Sequence, residues 1–186
     1  DAHPAKVIGA KADAHRLPAL DLAVSEGETF DFADETVSIL DVSGHTVGHI
    51  AFHFPDTAAV FTGDSLMAMG CGRLFEGSPA QMFASLSKLA ALPDATTVCS
   101  GHEYTASNGA FAASLGEDNA AVAQRISDTT DMRAKGIATV PSNLGLEKQT
   151  NPFLRSADPA LQKALGMEGA APVDVFTEVR KRKDNF

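Results

Sequence analysis

Three side chains able to hold a metal stand where short apolar runs meet glycine-containing turns. His45 lies in Ser43-Gly44-His45-Thr46-Val47-Gly48-His49, Asp64 in Phe61-Thr62-Gly63-Asp64-Ser65-Leu66, and His102 in Thr97-Val98-Cys99-Ser100-Gly101-His102-Glu103-Tyr104. If the runs before them are strands of a parallel sheet, their carboxyl ends gather in one crevice and the three donors converge. Imidazole nitrogen and carboxylate oxygen suit zinc, and also iron or manganese. Each residue also has a plainer reading. His45 could be an ordinary turn histidine, and Asp64 could cap the segment that follows it. Cys71 has no histidine at a spacing that would make it a nucleophile. His53, flanked by Phe52 and Phe54, reads as structural or solvent-facing, while His3 and His15 have no motif around them.

The elements that must position these groups fall into two regions. Up to about His102, short β-like runs alternate with loops, at residues 6–9, 36–42, 49–54, 58–62 and 96–99. The run 49–54 alternates apolar and less apolar positions, as a half-buried strand does. Ser78 and Pro79 make a good helix start, since serine caps and proline is tolerated at the first position. Met82, Phe83, Leu86, Leu89 and Leu92 then mark one apolar face. Beyond Tyr104 the pattern turns helical with no convincing strand. Candidate helices run through 108–115, 119–135, 159–165 and 172–183, and the stretch 136–153, with Pro141, Gly145 and Pro152, reads as a connecting loop.

Composition bounds the function. At 186 residues the chain can bury one sizeable core with an appendage. A formal charge of −9 argues against a general nucleic-acid surface. No apolar run approaches the ~20 residues of a membrane helix. Two cysteines, Cys71 and Cys99, give no disulfide framework, which points to a reducing cytoplasm. The C-terminal Arg180-Lys181-Arg182-Lys183-Asp184-Asn185-Phe186 stands out as basic in an acidic chain. It reads either as a solvated helix end complementing the helix dipole or as a carboxylate-binding corner.

Taken together, these motifs resemble the metallo-β-lactamase superfamily and, within it, the hydroxyacylglutathione hydrolases known as glyoxalase II. Gly70-Cys71-Gly72-Arg73-Leu74-Phe75-Glu76-Gly77, Gly101-His102-Glu103-Tyr104-Thr105, Asn151-Pro152-Phe153-Leu154-Arg155 and the basic C-terminus are similar to further signatures of that family. The likeness extends from about Val7 to Phe186. It implies an α+β fold: residues 1–104 as the C-terminal portion of a metallo-β-lactamase αββα sandwich, and residues 105–186 as a helical glutathione-binding domain. His45, Asp64 and His102 would be metal ligands, with Asp64 the candidate catalytic residue. The carboxylate of Asp64 would bridge two divalent ions, one on each oxygen. Zinc is the expected metal, iron or manganese the alternatives. His49 would lend a supporting hydrogen bond. Arg73, Tyr104, Arg180 and Lys183 would bind glutathione, the arginine and lysine of the C-terminus holding its glycine carboxylate. Phe75 stands where the better-known pattern has a tyrosine, and Arg73 replaces a lysine, which keeps the charge with a different geometry.

The resemblance implies hydrolysis of a glutathione thioester, S-lactoylglutathione to D-lactate and glutathione, by a metal-activated hydroxide. A thiolate leaves readily, so no serine, cysteine or histidine nucleophile and little acid assistance are required. Two other enzyme readings stay open, a one-iron sulfur dioxygenase and a lactonase, as does a metal-free scaffold that binds glutathione or a partner. The superfamily's His-x-His-x-Asp-His run, which supplies four further ligands, does not occur in this sequence. The chain therefore reads as the C-terminal part of such an enzyme, with little activity by itself. A complementing N-terminal segment would supply the other ligands and cover the inner, apolar face of the sheet.

Overall fold

Short apolar runs separated by tight turns build a six-stranded mixed sheet. A computed structural model describes residues 5–186, so His3 falls outside the described residues. Strands β1 (Ile8–Ala10) and β2 (Leu22–Val24) pair with each other as a small separate sheet. Strands β3 (Thr29–Phe32), β4 (Glu35–Asp41), β5 (Ile50–Phe54) and β6 (Ala59–Gly63) then form an antiparallel meander. A tight hairpin of β7 (Leu66–Met67) and β8 (Gly70–Cys71) follows. After helix α1 (Pro79–Ala90), β9 (Thr97–Ser100) joins β6 in parallel, and β10 (Ser142–Asn143) completes the order β10-β9-β6-β5-β4-β3.

The sheet is thus mixed where a parallel one was expected, yet the donors still converge. Strands β4 and β6 are each antiparallel to β5, so they run the same way, and β9 runs parallel to β6. The carboxyl ends of these three strands meet at one edge, which is where His45, Asp64 and His102 follow them.

Helix α1 begins as its residues dictate: Ser78 accepts from the Gln81 N–H, the Gln81 side chain accepts from the Ser78 N–H, and Pro79 opens the first turn. The remaining helices are α2 (Thr105–Ser114), α3 (Ala120–Ala134), α4 (Leu144–Thr150), α5 (Pro159–Leu165) and α6 (Pro172–Asp184). Residues 136–153 are therefore not a plain loop, because they hold β10 and α4. Asn143 caps α4 through the Leu146 N–H, and the helix buries Glu147 and Thr150 among polar partners. With Leu144 the only large apolar residue on its buried face, so short a helix leaves no apolar periodicity to read.

One buried cluster spans both regions. It joins Val42, Val60 and Val98 of the sheet region to Met82, Leu86 and Leu89 of α1 and to Val175, Phe176 and Val179 of α6. The side chains alternate along each strand, and the opposite face carries an aromatic stripe. Its ring pairs are Phe30–Phe52 at 6.0 Å, Phe32–Phe54 at 6.0 Å and Phe54–Phe61 at 5.4 Å. Phe32 and Phe61 are 62% and 47% exposed. Among the described residues no helix is long and apolar enough to cross a membrane.

Candidate metal centre

Strand β4 hands over to a turn that holds itself. The Ser43 N–H donates to Asp41 Oδ1 at 2.8 Å, Ser43 Oγ donates to the Val47 carbonyl at 2.7 Å, and the Gly44 N–H donates to the Thr46 carbonyl. This turn presents His45, whose Nδ1 lies 2.7 Å from the Arg73 carbonyl oxygen. A carbonyl can only accept, so Nδ1 is the donor of this pair and Nε2 is the nitrogen left to face Asp64. Strand β6 ends at Gly63, where φ is +52° and a Cβ would stand 2.5 Å from His49 Nε2. With only hydrogen there, His49 Nε2 accepts the Asp64 N–H at 3.0 Å. His49 therefore ties the β4 turn to the β6 turn. Burial, and after it the neighbouring His45, push His49 below the ordinary histidine range, which matches its acceptor role.

The Asp64 carboxylate stands between the two ligand candidates. Its Oδ2 is 3.4 Å from His45 Nε2 and its Oδ1 is 3.5 Å from His102 Nε2. These separations are long for hydrogen bonds. They match two donors on one ion: bonds of about 2.0–2.1 Å at a tetrahedral angle put neighbouring donors about 3.3 Å apart. Each oxygen pairs with a different imidazole, so the donor set fits two divalent ions bridged by one carboxylate. Each half-site then draws two donors from these residues. Among the described residues no three His, Cys, Asp or Glu side chains gather on a single ion.

The donors open into a cleft of about 490 Å³, which Arg73, Tyr104, Arg180 and Lys183 also line. His15 and His53 do not line it. Tyr104 lies at the start of α2, half exposed, with its ring stacked on His102 at 5.2 Å. Lys183 Nζ sits 5.0 Å and 5.1 Å from the ring centroids of Phe111 and Phe186. Burial, and after it the charges of Arg180 and Arg73, push Lys183 below the usual lysine range, so an anion is the natural complement of this corner. Arg180 differs from the other cations. It is 3% exposed and donates to the Cys71 carbonyl at 3.2 Å and to Asp184 at 2.7 Å, while its Nε has no protein partner. Most of its hydrogen-bonding capacity is committed to the β8 backbone and to its own helix.

Several further residues support the site. Phe75 places its ring 4.9 Å from that of His45. Arg16 bridges Asp13 and Glu76, and Glu76 accepts the Val47 N–H at 2.8 Å within the His45 turn. That clamp joins residues 60 positions apart, a pairing no local pattern announces. Cys71 is buried, and burial pushes its thiol up to about 11. The folded chain should therefore resist carboxymethylation at Cys71 near pH 8, and the denatured chain should react there, as read by peptide mass. Modification of Cys71 in the folded chain at the denatured rate would contradict this.

Gly72 gives a sharper test. A Cβ there would stand 2.0 Å from the Asp64 carbonyl oxygen and 3.0 Å from His45 Nδ1. The backbone of Asp64 has nowhere to go without moving its side chain. In a protein that carries the full donor set, Gly72→Ala should thus weaken zinc binding by about 10-fold or more, the range seen when partners behind metal ligands are lost. Competitive zinc titration, with circular dichroism to check folding, would measure it.

Comparison with known proteins gives the family and the fold. A family model described as hydroxyacylglutathione hydrolase C-terminus matches residues 103–186, and one described as the metallo-beta-lactamase superfamily matches residues 6–102. The chain is 66% identical to a hydroxyacylglutathione hydrolase of Ruegeria pomeroyi over 186 residues, all of this chain and 73% of that protein. It is 59% identical to the hydroxyacylglutathione hydrolase of a Jannaschia species, again over the whole chain and 73% of the relative. Among solved structures, ETHE1 from Myxococcus xanthus matches with a TM-score of 0.61 at 22% identity, covering 95% of this chain and 57% of that one. The BLEG-1 B3 metallo-beta-lactamase matches with a TM-score of 0.55 at 20% identity, covering 80% and 65%. Both show the shared fold, the α+β fold of the metallo-beta-lactamases. The chain belongs to the hydroxyacylglutathione hydrolase family of that superfamily.

Proposed function

We propose that the chain carries the C-terminal part of a glutathione thioesterase site, acting on S-lactoylglutathione or a close relative. The observation that carries this reading is the Asp64 carboxylate with one imidazole facing each oxygen, in a cleft with a cationic side. When bound, a pair of divalent ions, zinc first among them, supplies a water acidic enough to act as nucleophile near neutral pH. Asp64, His45 and His102 are the residues of this chain that would hold such ions. Arg73 and Lys183 draw the carboxylates of glutathione, and Tyr104 offers a ring and a hydroxyl at the rim. Arg180 acts on the same subsite mainly by fixing the Cys71 backbone beneath it. The thiolate leaves without a dedicated acid.

In this division residues 1–104 bring the donors and residues 105–186 the glutathione wall. Two donors per half-site are too few for a catalytic ion, which takes three protein ligands. The remaining donors are assigned to an N-terminal partner segment, which would also cover the exposed Phe32 and Phe61. Two free cysteines, Cys71 and Cys99, suit the cytoplasm.

The test compares this chain with a fusion to the N-terminal part of the Ruegeria pomeroyi relative. The fusion is expected to bind about two metal ions and to hydrolyse S-lactoylglutathione, while the chain alone does neither. A fusion that binds the ions and leaves the thioester intact would overturn the substrate assignment. Stoichiometric paired binding by the chain alone would overturn the incomplete-site assignment.

A further inference from the structure

The tip of the β7–β8 hairpin turns four backbone polar groups away from any strand, and side chains of the helical region satisfy all four. The Met69 N–H donates to Glu147 Oε2 at 2.8 Å. The carbonyls of Met67 and Gly70 accept from Asn151 Nδ2 at 3.1 Å and 3.0 Å, and that of Ala68 accepts from Asn108 Nδ2 at 3.0 Å. Met69 is fully buried at a φ of +57°, a region sparsely populated by residues with a Cβ. Such a conformation persists only where its surroundings over-determine it.

Glu147 is the hub of those surroundings. It is 0% exposed, its other oxygen accepts from Arg125 Nη2, and Asn151 Nδ2 reaches it at 3.1 Å. Arg125 is fixed in turn by donating to Thr150 Oγ1 at 2.6 Å. A carboxylate only accepts, and every neighbour here donates, so a glutamine would turn a donor onto a donor.

The hairpin runs from one metal-donor candidate to the support of another. It leaves Asp64, closes through the Gly72 N–H on the Ser65 carbonyl at 3.1 Å, and delivers the Arg73 carbonyl that orients His45. We propose that Glu147, held by Arg125 and Asn151, is a positioning residue for Asp64 and His45, so that the helical region shapes the donor pair as well as the cleft wall. The proposal rests on reading those two residues as metal donors.

The experiment compares Glu147→Gln with the unaltered chain by amide and imidazole NMR, together with zinc titration of the same pair in the fusion that carries the full donor set. Expected are shifted resonances at Asp64, Ser65, Gly72, Arg73 and the His45 ring, with those of β3 and β4 unmoved, and zinc affinity lower by about 10-fold. A merely structural Glu147 would lower the melting midpoint and leave those resonances in place, and that result would overturn the proposal. The resonances report placement whether or not a metal binds, so a failed metal assignment would show separately. Should Glu147→Gln fail to fold, Arg125→Met combined with Glu147→Gln leaves no guanidinium unpaired and is read the same way.

Discussion

Asp64→Ala should reduce thioester hydrolysis by at least about 10³-fold in a chain carrying the full donor set, and should empty both metal positions. The magnitude follows from what one carboxylate does. Its two oxygens face two different imidazoles at nearly equal distances of 3.4 Å and 3.5 Å, so one substitution strips a donor from each half-site. Losing a single preorganised electrostatic stabiliser already costs about 10²–10³ in rate. Here the nucleophile-generating centre goes with it. Asp64→Asn is the informative companion. An amide keeps one accepting oxygen and turns an NH₂ toward the other imidazole, so it should retain one ion of the pair. Metal content by emission spectrometry, read beside the rate, separates the outcomes. If Asp64→Ala binds both ions and hydrolyses within tenfold of the unaltered protein, the bridging role is wrong. His45→Ala and His102→Ala should each lose one ion, since each touches one oxygen.

The convergence of the three ligand candidates was legible because metal chemistry restricts residue type and the turns restrict neighbours. His45, Asp64 and His102 each follow an apolar run and sit beside glycine, and glycine is what close backbone approach requires. Helices read well where their inner face is apolar: residues 159–165 coincide with α5, and 172–183 nearly so with α6. Helix α4 was invisible because it is one short element that buries Glu147 and Thr150 beside a single large apolar residue, Leu144, and the polar pair meets Arg125, 22 and 25 residues away. The direction of the strands was misjudged for a related reason. Alternation tells which face a residue takes, but pairing partners decide parallel or antiparallel. The convergence survived because β4, β6 and β9 run the same way, with β3, β5 and β10 running against them. Arg180 shows the opposite limit. Its motif marked it as a ligand for carboxylate, and it lines the cleft, but no local pattern announces that it also donates to the Cys71 backbone and Asp184.

Phe176→Ala should be the most destabilising of the core truncations, lowering stability by about 3–5 kcal/mol. Phe176 is fully buried on α6, 5.8 Å from the ring of Phe83 in α1 and 5.6 Å from that of Phe153, which in turn lies 6.2 Å from Phe111 in α2. Removing it leaves a cavity between the rings of Phe83 and Phe153, which belong to separate elements, so no single side chain can move in to fill it. At about 2–4 °C per kcal/mol for a chain of this size, the melting midpoint should fall by roughly 6–20 °C. The shape of the transition carries more than its midpoint. The buried cluster is continuous from Val42 to Val179, so the strand and helical regions should unfold together. Tyr104, the chain's only tyrosine, stands at their junction. Its fluorescence and far-ultraviolet circular dichroism should therefore report one coincident transition in both proteins. Two separated transitions, only one of them shifted by Phe176→Ala, would mean that the helical region folds by itself. Its hold on Asp64 through the β7–β8 hairpin would then be a docking contact between units instead of a property of one core.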